Sequence, residues 1–178
     1  MAGYTDIYII RKTRSKRTAL EFLDHYLPQR KESADCYEFP RFGKTTDFEL
    51  ATADEVMSYM ENNHEEEHCI YYHNLDLNSI NRHANLFYTP DGFTIYGVSV
   101  PASDLLDSDV EKNALLEMKT FFQTDEGYMT YECPPERTGS EFLKLVTLIN
   151  QREANPTNNF RETLLKLKSS LLSIFKNT

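Results

Sequence analysis

Apolar positions along this chain recur with two periods, and the periods interleave. Residues 4–12, YTDIYIIRK, alternate as a strand, with Ile7 and Ile9 on one face and Tyr8 and Ile10 on the other. Apolar side chains on both faces predict a strand covered on both sides. Residues 15–28 switch to the helical period. Ala19, Leu20, Leu23, Tyr26 and Leu27 share one stripe, and Pro28 stops it. Short strands are predicted at 35–42 and 48–52, the first pushed toward a sheet edge by Pro40. Thr52 and Glu55 form a capping box ahead of a helix that carries Ala53, Val56, Met57 and Met60 on one side.

Residues 68–75 read as a strand, and 84–100 as two aromatic, β-branched runs joined at Pro90-Asp91-Gly92. A helix is predicted over 108–122, opened by Ser108 and Glu111 as a second capping box. A strand follows at 127–135, then a helix from the box Thr138 to Glu141. Pro156 is placed to open a last helix, in which Phe160, Leu164, Leu167, Leu171 and Ile174 recur at 4-3-4-3 spacing. The order is β-α-β-(β)-α-β-β-β-α-β-α-α. A tight hairpin in the middle is foreign to a doubly wound parallel sheet. The expectation is an α+β fold: one mixed, mainly antiparallel sheet of about six strands with helices packed on it. Residues 1–152 form the α+β domain, and 153–178 an amphipathic C-terminal helix packed on the same domain.

Charge divides the chain into three parts. Residues 1–31 carry seven Lys/Arg against three Asp/Glu, and residues 157–178 four against one. Between them, residues 32–156 carry eight against twenty-four, a balance of −16 within a total of −9. Such a body repels nucleic acid and favours a basic partner. No apolar run approaches the roughly 20 residues of a membrane span, and the N-terminus runs apolar first and basic second, the reverse of a signal peptide. A cytoplasmic protein is expected. Cys36, Cys69 and Cys133 are odd in number and widely spaced, which points to reduced thiols.

Residues 64–68, His-Glu-Glu-Glu-His, match the zinc-protease pattern in letters only. That chemistry needs both histidines on one face of a helix crossing the domain. Here the helix from Thr52 must end, because a strand begins at once. Neighbouring strand residues face opposite ways, so His68 points away from Cys69 and His73. Neither a metal nor a cofactor is expected. The spacing of Asp104, Asp107, Asp109 and Glu111 fails the calcium-loop pattern, and no nucleophile motif is present. Five of the seven residues 11–17 are basic: Arg11, Lys12, Arg14, Lys16 and Arg17. They stand at a helix N-terminus, and two readings stay open. Either they hold an anionic or phosphorylated ligand, with His25, His68 or His73 as acid–base groups, or they pair with the acidic body.

The hairpin with its Pro-Asp-Gly turn, the helix ending in Phe121-Phe122, and the strand from Gly127-Tyr128 to Glu132 and Pro134-Pro135 resemble small bacterial immunity-type proteins of polymorphic toxin systems. The likeness covers residues 84–142 and contains no catalytic group. It implies a non-enzymatic protein that neutralises a basic toxin domain. Bottom-up, the acidic centre and the Tyr-rich strands place the contact at Glu65, Glu66, Glu67, Asp104, Asp107 and Asp109, with Tyr71 and Tyr72 as anchors. The C-terminal helix offers a route to a homo-oligomer.

Overall fold

The computed structural model describes residues 3–102 and 109–153. The order is β1 (Tyr4–Arg11), α1 (Lys16–Tyr26), β2 (Arg30–Glu32), β3 (Tyr37–Phe39), β4 (Phe48–Leu50) and α2 (Ala53–Asn62). It continues with β5 (His68–Asn74), β6 (His83–Tyr88), β7 (Thr94–Pro101), α3 (Asp109–Phe122), β8 (Gly127–Tyr131) and α4 (Gly139–Glu153). Six strands join in the order β2-β5-β6-β7-β1-β8, antiparallel at every pairing, while β3 and β4 form a separate two-stranded sheet. The fold is α+β, as the alternating periods predict. Contacts divide the chain within α4, into residues 1–146 and a unit from Thr147, of which 147–153 are described. The remainder of the expected C-terminal helix lies outside the described residues, as do Asp104, Asp107 and Ser108.

Strand parity separates two faces. Register aligns Ile7 with Val98, Ile9 with Tyr96, Tyr96 with Leu86, and Leu86 with Ile70. These side chains form the main core with Phe22 and Leu23 of α1, Val56 and Met60 of α2, and Met118 and Phe122 of α3. Ile10 and Ile95 have the opposite parity and are fully buried outside that cluster. On their side the first turns of α4 supply Phe142, whose ring lies 4.8 Å from that of Tyr128. α4 therefore begins over one end of the second face.

The helix ends are fixed by the caps the sequence predicts. Thr52 and Glu55 complete a reciprocal box at α2. At α4 the Thr138 hydroxyl accepts from Glu141 N at 3.2 Å, and Glu141 Oε2 accepts from Thr138 N at 3.2 Å. A further clasp reaches α4 from the hairpin turn, where Gly92 takes φ +86°. Asp91 Oδ1 accepts from Gly139 N at 2.8 Å and Oδ2 from Ser140 N at 2.9 Å, using the donors a helix start leaves unpaired. Burial alone would raise the Asp91 pKa. The hydrogen bonds from Thr89, Gly139 and Ser140 outweigh it and bring the pKa down to about 2.

Candidate functional site

The second face of the sheet, away from the main core, carries a polar row across its strands. Asp6 on β1 pairs with Ser99 on β7, Ser99 with His83 on β6, and His83 with His73 on β5. The next row runs Tyr8, Gly97, Asn85 and Tyr71. Asp6, Ser99 and His83 of the first row and Tyr8, Asn85 and Tyr71 of the second floor a depression of about 380 Å³, bordered also by Glu132, Cys133 and Pro134. Ser99 Oγ donates to Asp6 Oδ1 at 2.6 Å. Tyr8 Oη donates to the Cys133 carbonyl at 3.1 Å, tying that border to the floor.

Gly97 gives the floor its depth. A Cβ there would stand 2.6 Å from the Tyr8 ring, so only glycine lets that ring lie across the strand. Glu132 has φ +46°, in the left-handed region that is uncommon outside glycine. Asn85 is 6% exposed and lines the depression. Burial, with smaller contributions from His73 and Arg82, lowers the His83 pKa. The imidazole is therefore neutral near pH 7.

Beyond Tyr71 and Phe87 lies a second hollow of about 360 Å³, bordered by Arg41, Phe42 and Arg137. Its Cys69 is a buried thiol whose pKa is raised by that burial. At the other end, strands β5 and β6 are joined by residues 75–82, next in the chain to His73 and His83. Leu75, Leu77 and Ile80 are exposed there by 56%, 79% and 51%. The loop is held by its own polar groups. Asn74 Oδ1 accepts from Asp76 N and Asp76 Oδ1 from Asn78 N, both at 2.9 Å. Asn74 Nδ2 donates to the Asn81 carbonyl at 2.9 Å, and Arg82 Nη1 donates to that of Leu77.

The residues singled out from the sequence are distributed differently. Tyr71 lies on the cleft face, 40% exposed. Tyr72 packs its ring in the main core with 4% exposure, although the residue also borders the depression. Glu65 is exposed in the turn after α2, and Glu66 is half-buried. Glu67 is engaged by both Nε and Nη2 of Arg137, the first at 2.8 Å. Asp109 is exposed at the start of α3.

The basic stretch does not converge on one point. Arg14 is 2% exposed and donates to the carbonyls of Asn63, Glu66 and Thr89, with its guanidinium over the Tyr88 ring. Lys16 pairs with Asp54 at 2.7 Å, Arg17 with Glu21 at 2.8 Å, and Arg11 donates to the Phe122 carbonyl at 3.1 Å. Lys12 lies over Phe93.

The histidines are equally dispersed. His25 meets Glu117 at 3.2 Å on the helical side. His68 is buried: Nδ1 accepts from Cys69 N at 2.9 Å and Nε2 donates to the Glu38 carbonyl at 3.1 Å, one neutral tautomer serving both. Burial holds its pKa low. α2 ends at Asn62, so His64 lies in a turn and His68 opens a strand, not one turn apart on a helix. Among the described residues no three His, Cys, Asp or Glu side chains gather as a metal site would require, and no helix is long and apolar enough to cross a membrane.

The cleft residues Asp6, His83, Asn85 and Ser99 are absent from the sequence-based candidates. Gly97 inside the strand TIYGVSV was the one local signal, since an interior strand glycine marks a close approach. No family model matches the chain, and neither a curated protein nor a solved structure matches it.

Proposed function

We propose that this chain is a non-enzymatic binding protein of the immunity type, which neutralises a basic toxin domain by docking it on the cleft face of the sheet. The observation that carries the reading is the 75–82 loop. It holds three large apolar side chains in solvent on a framework of its own hydrogen bonds. Several large apolar side chains exposed along one hydrogen-bonded loop favour a protein contact over a small-molecule site. The acidic balance of residues 32–156 favours a basic partner and speeds encounter with it. Tyr71 supplies a half-exposed aromatic in the middle of the face, a residue type enriched at binding hot spots. Ser99 gives its proton to Asp6 and not to His83, which is not how a histidine-activated nucleophile is arranged.

The test is site-specific photo-crosslinking in the native host. A crosslinker at Leu77 or Tyr71 should capture one basic protein, and one at Glu21, on the exposed side of α1, should not. That protein, expressed alone, should arrest growth, and co-expression of this chain should relieve the arrest. Replacing Leu75, Leu77 and Ile80 together by serine should abolish the relief without unfolding the chain. Capture from Glu21 alone, or relief unchanged by the triple replacement, would overturn the reading.

A further inference from the structure

We infer that the second hollow, beyond Tyr71 and Phe87, is a seat for a small aromatic carboxylate. Its volume of about 360 Å³ suits a small ligand, and ring and proline faces wall it: Phe42, Tyr71, Phe87, Pro134 and Pro135. Flat apolar walls of this kind take a ring. The charge at the rim selects an acid. Arg41 and Arg137 both border the hollow, and their guanidiniums lie over the same Phe42 ring, 5.5 and 5.8 Å from its centroid. Phe42 is 68% exposed, so two like charges are gathered about a ring that the core does not hold.

The carboxylates at the hollow are already committed. Glu67 is taken by Nε and Nη2 of Arg137, and Glu136 Oε2 accepts from Tyr128 Oη at 2.5 Å. Arg41 makes neither a hydrogen bond nor an ion pair with any described residue. Its guanidinium offers five N–H donors in a planar fork, and Nη1 of Arg137 adds two that Glu67 does not use. A carboxylate accepts two such bonds side by side, the pairing that suits arginine better than lysine. The charge of Arg41 also reaches the floor of the hollow. Burial raises the pKa values of Cys69 and Tyr71, and Arg41 opposes the rise at both. An acid group thus meets its cation at the rim while its ring lies against the apolar walls. The seat binds without reacting, because the Cys69 thiol stays protonated and both nitrogens of His68 are engaged.

The probe is sodium benzoate, titrated into the isotope-labelled full chain and followed by NMR against sodium chloride at equal ionic strength. Saturable shifts are expected at the Nε–H signals of Arg41 and Arg137 and at the backbone of Cys69 and Phe87. Benzamide keeps the ring without the charge, and acetate the charge without the ring. Each should bind more weakly than benzoate by about tenfold or more, the worth of one charge-assisted hydrogen bond or one buried ring. Arg41→Gln, at an exposed side chain, should weaken benzoate by about tenfold. Lys44→Gln lies in the same β3–β4 connection but outside the lining, and should leave the affinity unchanged. Shifts that never saturate, that acetate reproduces at the same concentrations, or that survive Arg41→Gln overturn the seat. An equal loss with Lys44→Gln overturns it too, since the attraction would then be one of general charge. The seat and the docking of a protein on the cleft face fail separately. A partner captured at Leu77 while benzoate ignores the hollow removes the seat alone, and benzoate saturating the hollow with no partner captured removes the docking alone.

Discussion

Arg14 is a charged side chain that the fold buries almost completely. Its guanidinium bridges three backbone carbonyls from the end of α2, the following turn and the end of β6. Burial pulls its pKa down, yet the group stays charged because its ordinary value is so high. Arg14→Met would strand those carbonyls and should cost roughly 3 kcal/mol. Urea unfolding measures it, and a loss within experimental error of zero would contradict the account. From sequence alone Arg14 is indistinguishable from its four basic neighbours. Which of them turns inward depends on carbonyls 49 to 75 residues away.

At the scale of elements, local chemistry predicted the boundaries it controls. The Thr52 and Thr138 boxes, the turn at Gly92 and the helix ending near Asn62 all follow from residues within a few positions of one another. β2 was not legible, because Arg30–Glu32 has no apolar alternation and becomes a strand only by pairing with the outer edge of β5. Alternation separated Tyr71 from Tyr72 correctly but could not say which face the helices cover. The Asp91 clasp on α4 was also hidden, since it joins residues 48 and 49 positions apart. It makes a pH prediction whose sign is fixed. The Asp91 carboxyl titrates near 2 when folded, against 3.8 for an ordinary aspartate. Its contribution is therefore complete above about pH 4 and is lost as pH falls through about 2. Asp91→Asn should be less stable than wild type at neutral pH, and the gap should close between about pH 4 and pH 2. Urea unfolding of both proteins across that range decides it; a gap that stays constant would show that the charge of Asp91 does not act through α4.

For the whole molecule, the cleft exists only because four strands distant in sequence share a register. Asp6 and Ser99 are 93 positions apart, and nothing local to either names the other. Overall charge, by contrast, is legible at once, and it bears on folding and binding with opposite signs. The twenty-four acidic residues of the central segment meet only eight basic ones, and ion pairs such as Lys16–Asp54 and Arg137–Glu67 neutralise few of them. The excess repels itself in the folded state and attracts a basic partner. Salt screens both effects over a Debye length of roughly 10 Å at 0.1 M. Raising sodium chloride from about 0.01 to 0.5 M should therefore lift the melting temperature by roughly 2–4 °C. The same change should slow association with the partner captured at Leu77 by tenfold or more, within the roughly 10–10³ range of electrostatic steering. A melting temperature that falls instead would mean that the ion pairs outweigh the repulsion, so that the acidic excess is part of what holds the fold; an association rate that salt leaves unchanged would remove the support for steering.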